Sequence, residues 1–382
     1  TKPAQAAASK AQQDVGGYLQ SKFRNAEVIE SMGMVSHLYR KWAERNVLAM
    51  GAALHAQAVS GRVLAWSKFV RYTQQSLALG GGALLVIQGE LSPGAMIAAN
   101  VLTTRALAPI DGVINSWKQW SDFRKSYTAT SSLASSAPLV THLVQLGRPQ
   151  GHLVLDEVTL QLRQNGPAAL QQVSMTIAAG QTVAVIGPSG AGKTTLLKAL
   201  AGVLLPTQGR VLMDGADLAF RDDADLGRYI GYLGQETGLL AGRVAENIAR
   251  FGTVNSNAVI EAAQLAGAHE MMMALPEGYE TELGDRGMGM SEGQKRRIGL
   301  ARALYEAPAI VLLDEPGTAL DDASAAILVK TFKNLKAAGV TVVFTTHQPY
   351  LVQQADVVAL LVDGKLRIMG PREEVLNRLS KN

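Results

Sequence analysis

Nine residues, GPSGAGKTT (187–195), carry the strongest chemical signal in the sequence. They fit G-x-x-x-x-G-K-[ST], a phosphate-binding spacing. Gly187, Pro188, Ser189, Gly190, Ala191 and Gly192 would form a loop whose backbone N–H groups, all but the proline's, line up into a positive concavity for phosphate oxygens. Lys193 would reach the β- and γ-phosphates of a nucleoside triphosphate and Thr194 would ligate Mg²⁺. Thr195 continues into a helix whose dipole adds to the positive potential. The run AIVLLDEP (309–316) supplies complementary chemistry. Asp314, at the end of a buried strand, can hold the water shell of a metal, and Glu315 can polarise an attacking water as general base. His347 closes VTVVFTTH (340–347), where it could donate to a γ-phosphate, and Gln235 in YLGQE (232–236) could touch Mg²⁺ or the water. Taken alone, His347 and Gln235 read equally well as structural residues.

A second anion-facing segment is MSEGQKRR (290–297). Ser291 reads as the N-cap of a helix running to about Tyr305, with Glu292 favourable on the first turn. The elements around these motifs are short β-branched runs alternating with helical patterns: TVAVIG (182–187), AIVLLD (309–314), VTVVFTTH (340–347) and VVALLV (357–362). That alternation predicts an α/β domain with a largely parallel core sheet.

The first 147 residues have a different texture. They hold 14 Lys/Arg against 7 Asp/Glu, a net of +7, whereas the remainder holds 22 against 25, a net of −3. A basic helical part joined to a near-neutral part fits a membrane surface better than nucleic acid. Between Arg71 and Arg105 there is no lysine or arginine, and the only charge is Glu90 in the turn QGELSPG (88–94). This predicts a helical hairpin with arms at 66–88 and 94–117 and its tip across a bilayer. Ten of the fourteen basic residues precede its apolar part, as the positive-inside asymmetry requires. Lys68, Arg71, Arg105 and Asp111 in the arms leave open a soluble helical domain with a buried hairpin. Residues 21–46 read as a polar amphipathic helix in water, and the Ser/Ala-rich TATSSLASSAP (128–138) as a linker. The absence of cysteine excludes disulfides and thiolate metal sites. The chain begins at Thr1 without a signal peptide, which suggests a piece of a longer protein.

In order, GPSGAGKTT, YLGQE, MSEGQKRR, IVLLDEP, TALD and TTH resemble the ATP-binding cassette family throughout 150–382. The resemblance implies an α-helical transmembrane segment, part of an exporter domain (1–127), a linker (128–149) and an α/β nucleotide-binding domain (150–382). It makes ATP and Mg²⁺ the ligands, with Thr194, Gln235 and (through water) Asp314 on the metal and Glu315 and His347 as catalytic residues. Asp321 matches the D-loop. TELGDRG (281–287) resembles the segment that exporters place before the signature. Ser291, Glu292, Gly293 and Gln294 match the signature motif, which in this family covers ATP held by a second copy. The implied state is therefore a homodimer with two composite sites. Glu292 stands where the family usually has glycine. Leu162 stands where an adenine-stacking aromatic is usual, which implies loose discrimination between ATP and GTP.

NAEVIESMGM, SPGAMIAAN, RALAPIDGVINSW, AENIARFG and GPREEVL resemble the type I secretion ATPases of the alkaline-protease exporter group. That implies a multi-pass inner-membrane subunit in contact with lipid, its ATPase domain in the cytoplasm. It also implies a secreted protein substrate, a periplasmic adaptor (membrane fusion protein) and an outer-membrane channel, and no nucleic acid. The other readings are a half-transporter for lipids or drug-like molecules and a soluble or non-hydrolysing nucleotide-binding module.

Overall fold

Among the described residues, helices alone build the first of two units, Thr1–Pro138. The computed structural model describes residues 2–23, 25–136, 147–162, 166–220, 223–284, 287–318 and 322–380. The unit contains α1 (Lys2–Phe23), α2 (Ala26–Ser31), α3 (Val35–Ile87) and α4 (Pro93–Ser136). α1 lies along α3, where the Arg45 guanidinium sits 4.3 Å from the Tyr18 ring centroid. Gly33, at φ +62°, breaks the chain before α3. The polar stretch read as 21–46 is thus interrupted at residues 32–34. Its second half then joins the first hairpin arm in one helix of 53 residues, since no proline or turn cluster intervenes. At 1.5 Å per residue α3 is about 80 Å long. Among the described residues it is the one helix long and apolar enough to cross a membrane, with a shorter apolar helix at Pro93–Leu102. Glu90 and Gly89 lie in the turn between α3 and α4, and Gly82 lets the arms approach, because a Cβ there would meet Met96 Cγ at 2.8 Å. The Ser/Ala stretch from 128 is helical as far as Ser136. Alanine is the strongest helix former and nothing in 128–136 breaks the run.

The second unit, Leu139–Asn382, is built on a six-stranded sheet and a four-stranded sheet. Its strands are β1 (Leu153–Gln161), β2 (Ala168–Ile177), β3 (Thr182–Ile186), β4 (Gln208–Met213), β5 (Ala216–Asp217), β6 (Ile230–Leu233), β7 (Gly242–Arg243), β8 (Glu282–Leu283), β9 (Ile310–Asp314), β10 (Thr341–Thr345), β11 (Val357–Val362) and β12 (Lys365–Pro371). Its helices are α5 (Lys193–Leu200), α6 (Asp223–Tyr229), α7 (Val244–Ile248), α8 (Ser256–Leu265), α9 (His269–Met273), α10 (Glu292–Leu304), α11 (Asp322–Ala337), α12 (Pro349–Val352) and α13 (Arg372–Leu379). The large sheet has the order β12-β11-β3-β10-β9-β6 and is parallel except for its edge strand β12. The second sheet, β2-β1-β4-β5, is antiparallel.

Alternate residues of the parallel strands feed two apolar layers. Val183, Val185, Leu312 and Val343 pack with β1, β2, β4 and α5. Ala184, Leu313, Val342 and Phe344 pack with α7, α8, α10 and α11. Burial on both faces explains why these strands read as unbroken apolar runs. A register slip would expose neither face, so the pairing must be set by strand ends and turns. Thr345 pairs with Val185 on one side and Asp314 on the other, and Leu233 pairs with Leu313. The C-terminal ends of β3, β10, β9 and β6 therefore lie side by side, where open parallel sheets offer a ligand crevice.

Candidate functional site

The loop after β3 runs through Gly187 (φ +150°), Gly190 (φ +80°) and Gly192 (φ +98°) into α5. Two of these glycines are required by contact as well as by torsion. A Cβ on Gly187 would lie 2.0 Å from the Leu361 carbonyl oxygen, and one on Gly192 would lie 2.6 Å from that of Ala169. The loop is thus folded tightly against neighbouring backbone, with Ser189 and Gly190 exposed and Ala191 buried at its base. Thr194 and Thr195 follow in the first turn of α5, half-buried. Lys193 turns back into the loop, and its Nζ donates to Gly187 O (2.8 Å) and Pro188 O (3.1 Å). Burial lowers its pKa from the ordinary lysine value, opposed by the nearby carboxylates of Glu315 and Asp314.

Two strands away, Asp314 ends β9 and is buried. Its Oδ1 accepts from Thr345 Oγ1 at 2.7 Å, while its Oδ2 is buried with no hydrogen-bond partner. A buried carboxylate oxygen left without a donor is costly unless a cation or an ordered water faces it. Glu315 follows at φ +50°, a left-handed torsion rare for a residue with a Cβ. Its N–H donates to the same Thr345 Oγ1 (2.8 Å) and its Oε2 accepts from Thr318 Oγ1 (3.3 Å). Such an outlier persists only where its surroundings over-determine it, and such outliers concentrate at functional sites.

His347, two residues beyond β10, lies between these groups. Its Nε2 is 3.0 Å from Lys193 Nζ and 3.4 Å from Glu315 Oε1. One ring nitrogen thus faces a donor and an acceptor. It can accept from Lys193 or donate to Glu315, but a single protonation state cannot do both. Gln235 is exposed just past the end of β6. The sheet thereby gathers Lys193, Asp314, Glu315 and His347, four residues predicted from sequence. Sequence reasoning did not reach Thr345, whose role depends on its register opposite Asp314.

Ser291 caps α10: its Oγ accepts from Gln294 N–H (3.2 Å) and its own N–H donates to Gln294 Oε1 (2.8 Å), a reciprocal capping box. Glu292 is exposed and paired with Lys295 at 2.9 Å, leaving Gly293 next to it on the first turn. Lys295 thereby draws the Glu292 carboxylate aside. Arg296 points elsewhere: its Nη2 donates to Asp314 O (3.0 Å) and to Glu315 O. Leu162, just past the end of β1, is 59% exposed. Asp321 and residues 285–286 of TELGDRG lie outside the described residues.

Asp314 Oδ2, the Thr194 hydroxyl and Gln235 fit a hard, oxygen-seeking ion such as Mg²⁺. Among the described residues no cluster of three or more His, Cys, Asp or Glu could hold a metal, and Mg²⁺ sites need none, because water and phosphate oxygens complete the octahedron.

A glycine-rich phosphate loop, an acidic pair on a parallel strand, a histidine between them and a serine-capped helix define an ATP-binding cassette. Residues 170–318 match the family described as ABC transporter. Over nearly its whole length the chain is similar to "Type I secretion system ATP-binding protein PrsD" of Rhizobium meliloti, at 37% identity over 98% of this chain and 65% of that protein. It is also similar to "Cyclolysin secretion/processing ATP-binding protein CyaB" of Bordetella pertussis, at 33% identity over 92% of this chain and 49% of that protein. The chain thus spans about half to two thirds of the relatives it matches. A solved structure described as a bacterial Atm1-family ABC exporter with ATP bound shares the fold, with a TM-score of 0.89 over 99% of this chain and 66% of that one at 24% identity. The fold is therefore an exporter-type helical segment followed by an α/β ATP-binding cassette.

Proposed function

We propose that this chain is the ATP-hydrolysing part of an inner-membrane ABC exporter subunit that powers type I secretion of a protein substrate. The observation that carries the hydrolytic part is the junction of Lys193, His347, Glu315 and the unpartnered Asp314 carboxylate oxygen at three adjacent strand ends. Lys193 and the backbone N–H groups of 189–193 bind the β- and γ-phosphates of ATP. Glu315 orients and polarises the attacking water, and the γ-phosphoryl group passes to it while ADP leaves. His347 switches its Nε2 contact between Glu315 and the γ-phosphate. Asp314 (through water), Thr194 and Gln235 would hold Mg²⁺, which when bound neutralises charge on the phosphate oxygens. Most of the rate gain comes from positioning and electrostatics.

The rest of the cycle needs two copies. Ser291, Gln294 and the Gly293 N–H of one subunit face the γ-phosphate held by the other, with Asp321 at the shared interface, so ATP closes the pair and hydrolysis releases it. The apolar end of α3 and the start of α4 cross the inner membrane as a hairpin within a multi-pass subunit. Leu77, Leu84, Ile87, Ile97 and Leu102 are exposed there, as residues facing lipid should be. The hydrocarbon core takes up only about 30 Å of α3, so its polar N-terminal part stands in the cytoplasm. Similarity to proteins named for type I secretion and cyclolysin secretion supports a protein substrate, an adaptor and an outer-membrane channel.

The test is Glu315→Gln. It keeps the side-chain shape and should retain ATP binding while lowering turnover by about 100-fold or more, the usual weight of a general base. Phosphate release near the parent rate would remove Glu315 from that role.

A further inference from the structure

The left-handed backbone at Glu315 raises the question of what holds it there. One side is held by Thr345, whose Oγ1 accepts the Glu315 N–H. The other side is held by Arg296, whose Nη2 donates to the carbonyl oxygens of both Asp314 and Glu315. We propose that Arg296 is a positioning residue for Glu315, clamping the carbonyl side of the strained turn so that the Glu315 carboxylate faces His347 and the water to be activated.

Stability is a poor explanation for this arginine. Its guanidinium is half-buried, its Nε is buried with no hydrogen-bond partner, and burial lowers its pKa from the ordinary arginine value against the pull of Glu315, Asp314 and Glu292. A buried charge with an unmet N–H is commonly no more stable than an apolar side chain of the same length. The strain at Glu315 and the cost of burying Arg296 meet at the same two carbonyls, which is how a site trades stability for geometry. The neighbouring Lys295 cannot substitute. One residue earlier on a helix it points about 100° away, and it is committed to Glu292. Arg296 also sits on the helix that Ser291 caps. The segment proposed to meet the partner's ATP is thus bolted to the turn that carries this subunit's own base.

The inference rests on the general-base reading of Glu315, so parent, E315Q, R296M and R296K are compared as the full chain. Steady-state ATPase, binding of a fluorescent ATP analogue and thermal unfolding are measured for each. R296M, which keeps the stem and removes the donors and charge, should fold at least as stably. It should lose about tenfold in kcat while its nucleotide Kd stays within about twofold, because one fixed contact of this kind is worth about that factor in the barrier. R296K, with a donor restored, should recover a substantial part of the rate. Parent-like turnover in R296M overturns the proposal. So does an R296M that fails to fold, or an R296K as slow as R296M, since either makes the residue a packing element. A parent without ATPase activity, or an active E315Q, brings down the functional reading itself and is distinguished by that control.

Discussion

Thr345→Val tests whether β10 organises the acidic end of β9. Valine matches threonine in shape, so packing is kept and only the hydroxyl is lost. That hydroxyl is buried and does two things: it donates to Asp314 Oδ1 at 2.7 Å and accepts the Glu315 N–H at 2.8 Å. Because Asp314 Oδ2 has no partner, the variant leaves a buried carboxylate with no donor on either oxygen. A hydrogen bond to a charged group contributes about 1.5–3 kcal/mol and an orphaned buried N–H costs about 1–3 kcal/mol, so the expected loss is about 3–5 kcal/mol. For a domain of this size each kcal/mol moves Tm by about 2–4 °C, which puts the shift near 6–20 °C downward. Thermal unfolding without nucleotide reads it directly, and ATPase activity should fall with it as Glu315 loses one of its two backbone anchors. A Tm within about 2 °C of the parent, with kcat within twofold, would refute the claim that this hydroxyl holds the acidic pair.

Two further predictions follow from the charges. Lys193 is buried with a lowered pKa, so between its folded value and 10.5 the unfolded chain binds more protons than the folded one, and stability rises with pH through that window. Lys193→Met should abolish that rise and should not lower the nucleotide-free Tm at neutral pH, yet it should eliminate stabilisation by ATP; unfolding from pH 7 to 10 with and without nucleotide checks all three. Glu292→Gly breaks only an exposed ion pair, worth at most about 1 kcal/mol to the fold. It should tighten ATP-driven dimerisation up to about fivefold by removing a carboxylate that repels phosphate with about 1 kcal/mol at 4 Å in water. Light scattering of a non-hydrolysing background at graded ATP gives the answer, and no gain would dismiss the repulsion.

What could be read in advance, and what could not, divides along contact range. GPSGAGKTT and AIVLLDEP are contiguous, and their chemistry needs only the local order strand, loop, helix. Ser291 and Gln294 are three residues apart, so their capping box was open to inspection of one helical turn. Thr345 and Arg296 are different. Thr345 matters because β10 pairs with β9 in one register, a relation across 31 residues that no local pattern encodes. Lys295 and Arg296 are chemically alike and adjacent, and only packing of α10 near β9 tells which reaches Glu292 and which reaches the strand end. The antiparallel sheet β2-β1-β4-β5 was hidden for a related reason. The unbroken apolar runs point to a largely parallel core sheet, which the six-stranded sheet is, and say nothing of a second one. β1 alternates buried and half-buried residues with a break at Asp156 and Glu157, and has an irregular register against both neighbours, which weakens its periodic signal.

The placement of β10 explains why one strand can serve the whole site. It lies between β3, which delivers the phosphate loop, and β9, which delivers the acids. Thr345 ends the strand facing β9, and His347, two residues on, reaches Lys193 and Glu315 through a single nitrogen. Thr345 is the last residue of the strand and His347 lies in the bend that follows, so one short stretch of backbone carries both the hydroxyl that anchors the acids and the imidazole that contacts Glu315. A displacement of β10 would move both together, whereas a displacement of α10 reaches Glu315 through Arg296. The fold therefore ties the backbone that carries His347 to the acids through Thr345. Glu315 is held to the serine-capped helix as well, through Arg296, which gives the proposed two-subunit cycle a route from the cap to Glu315.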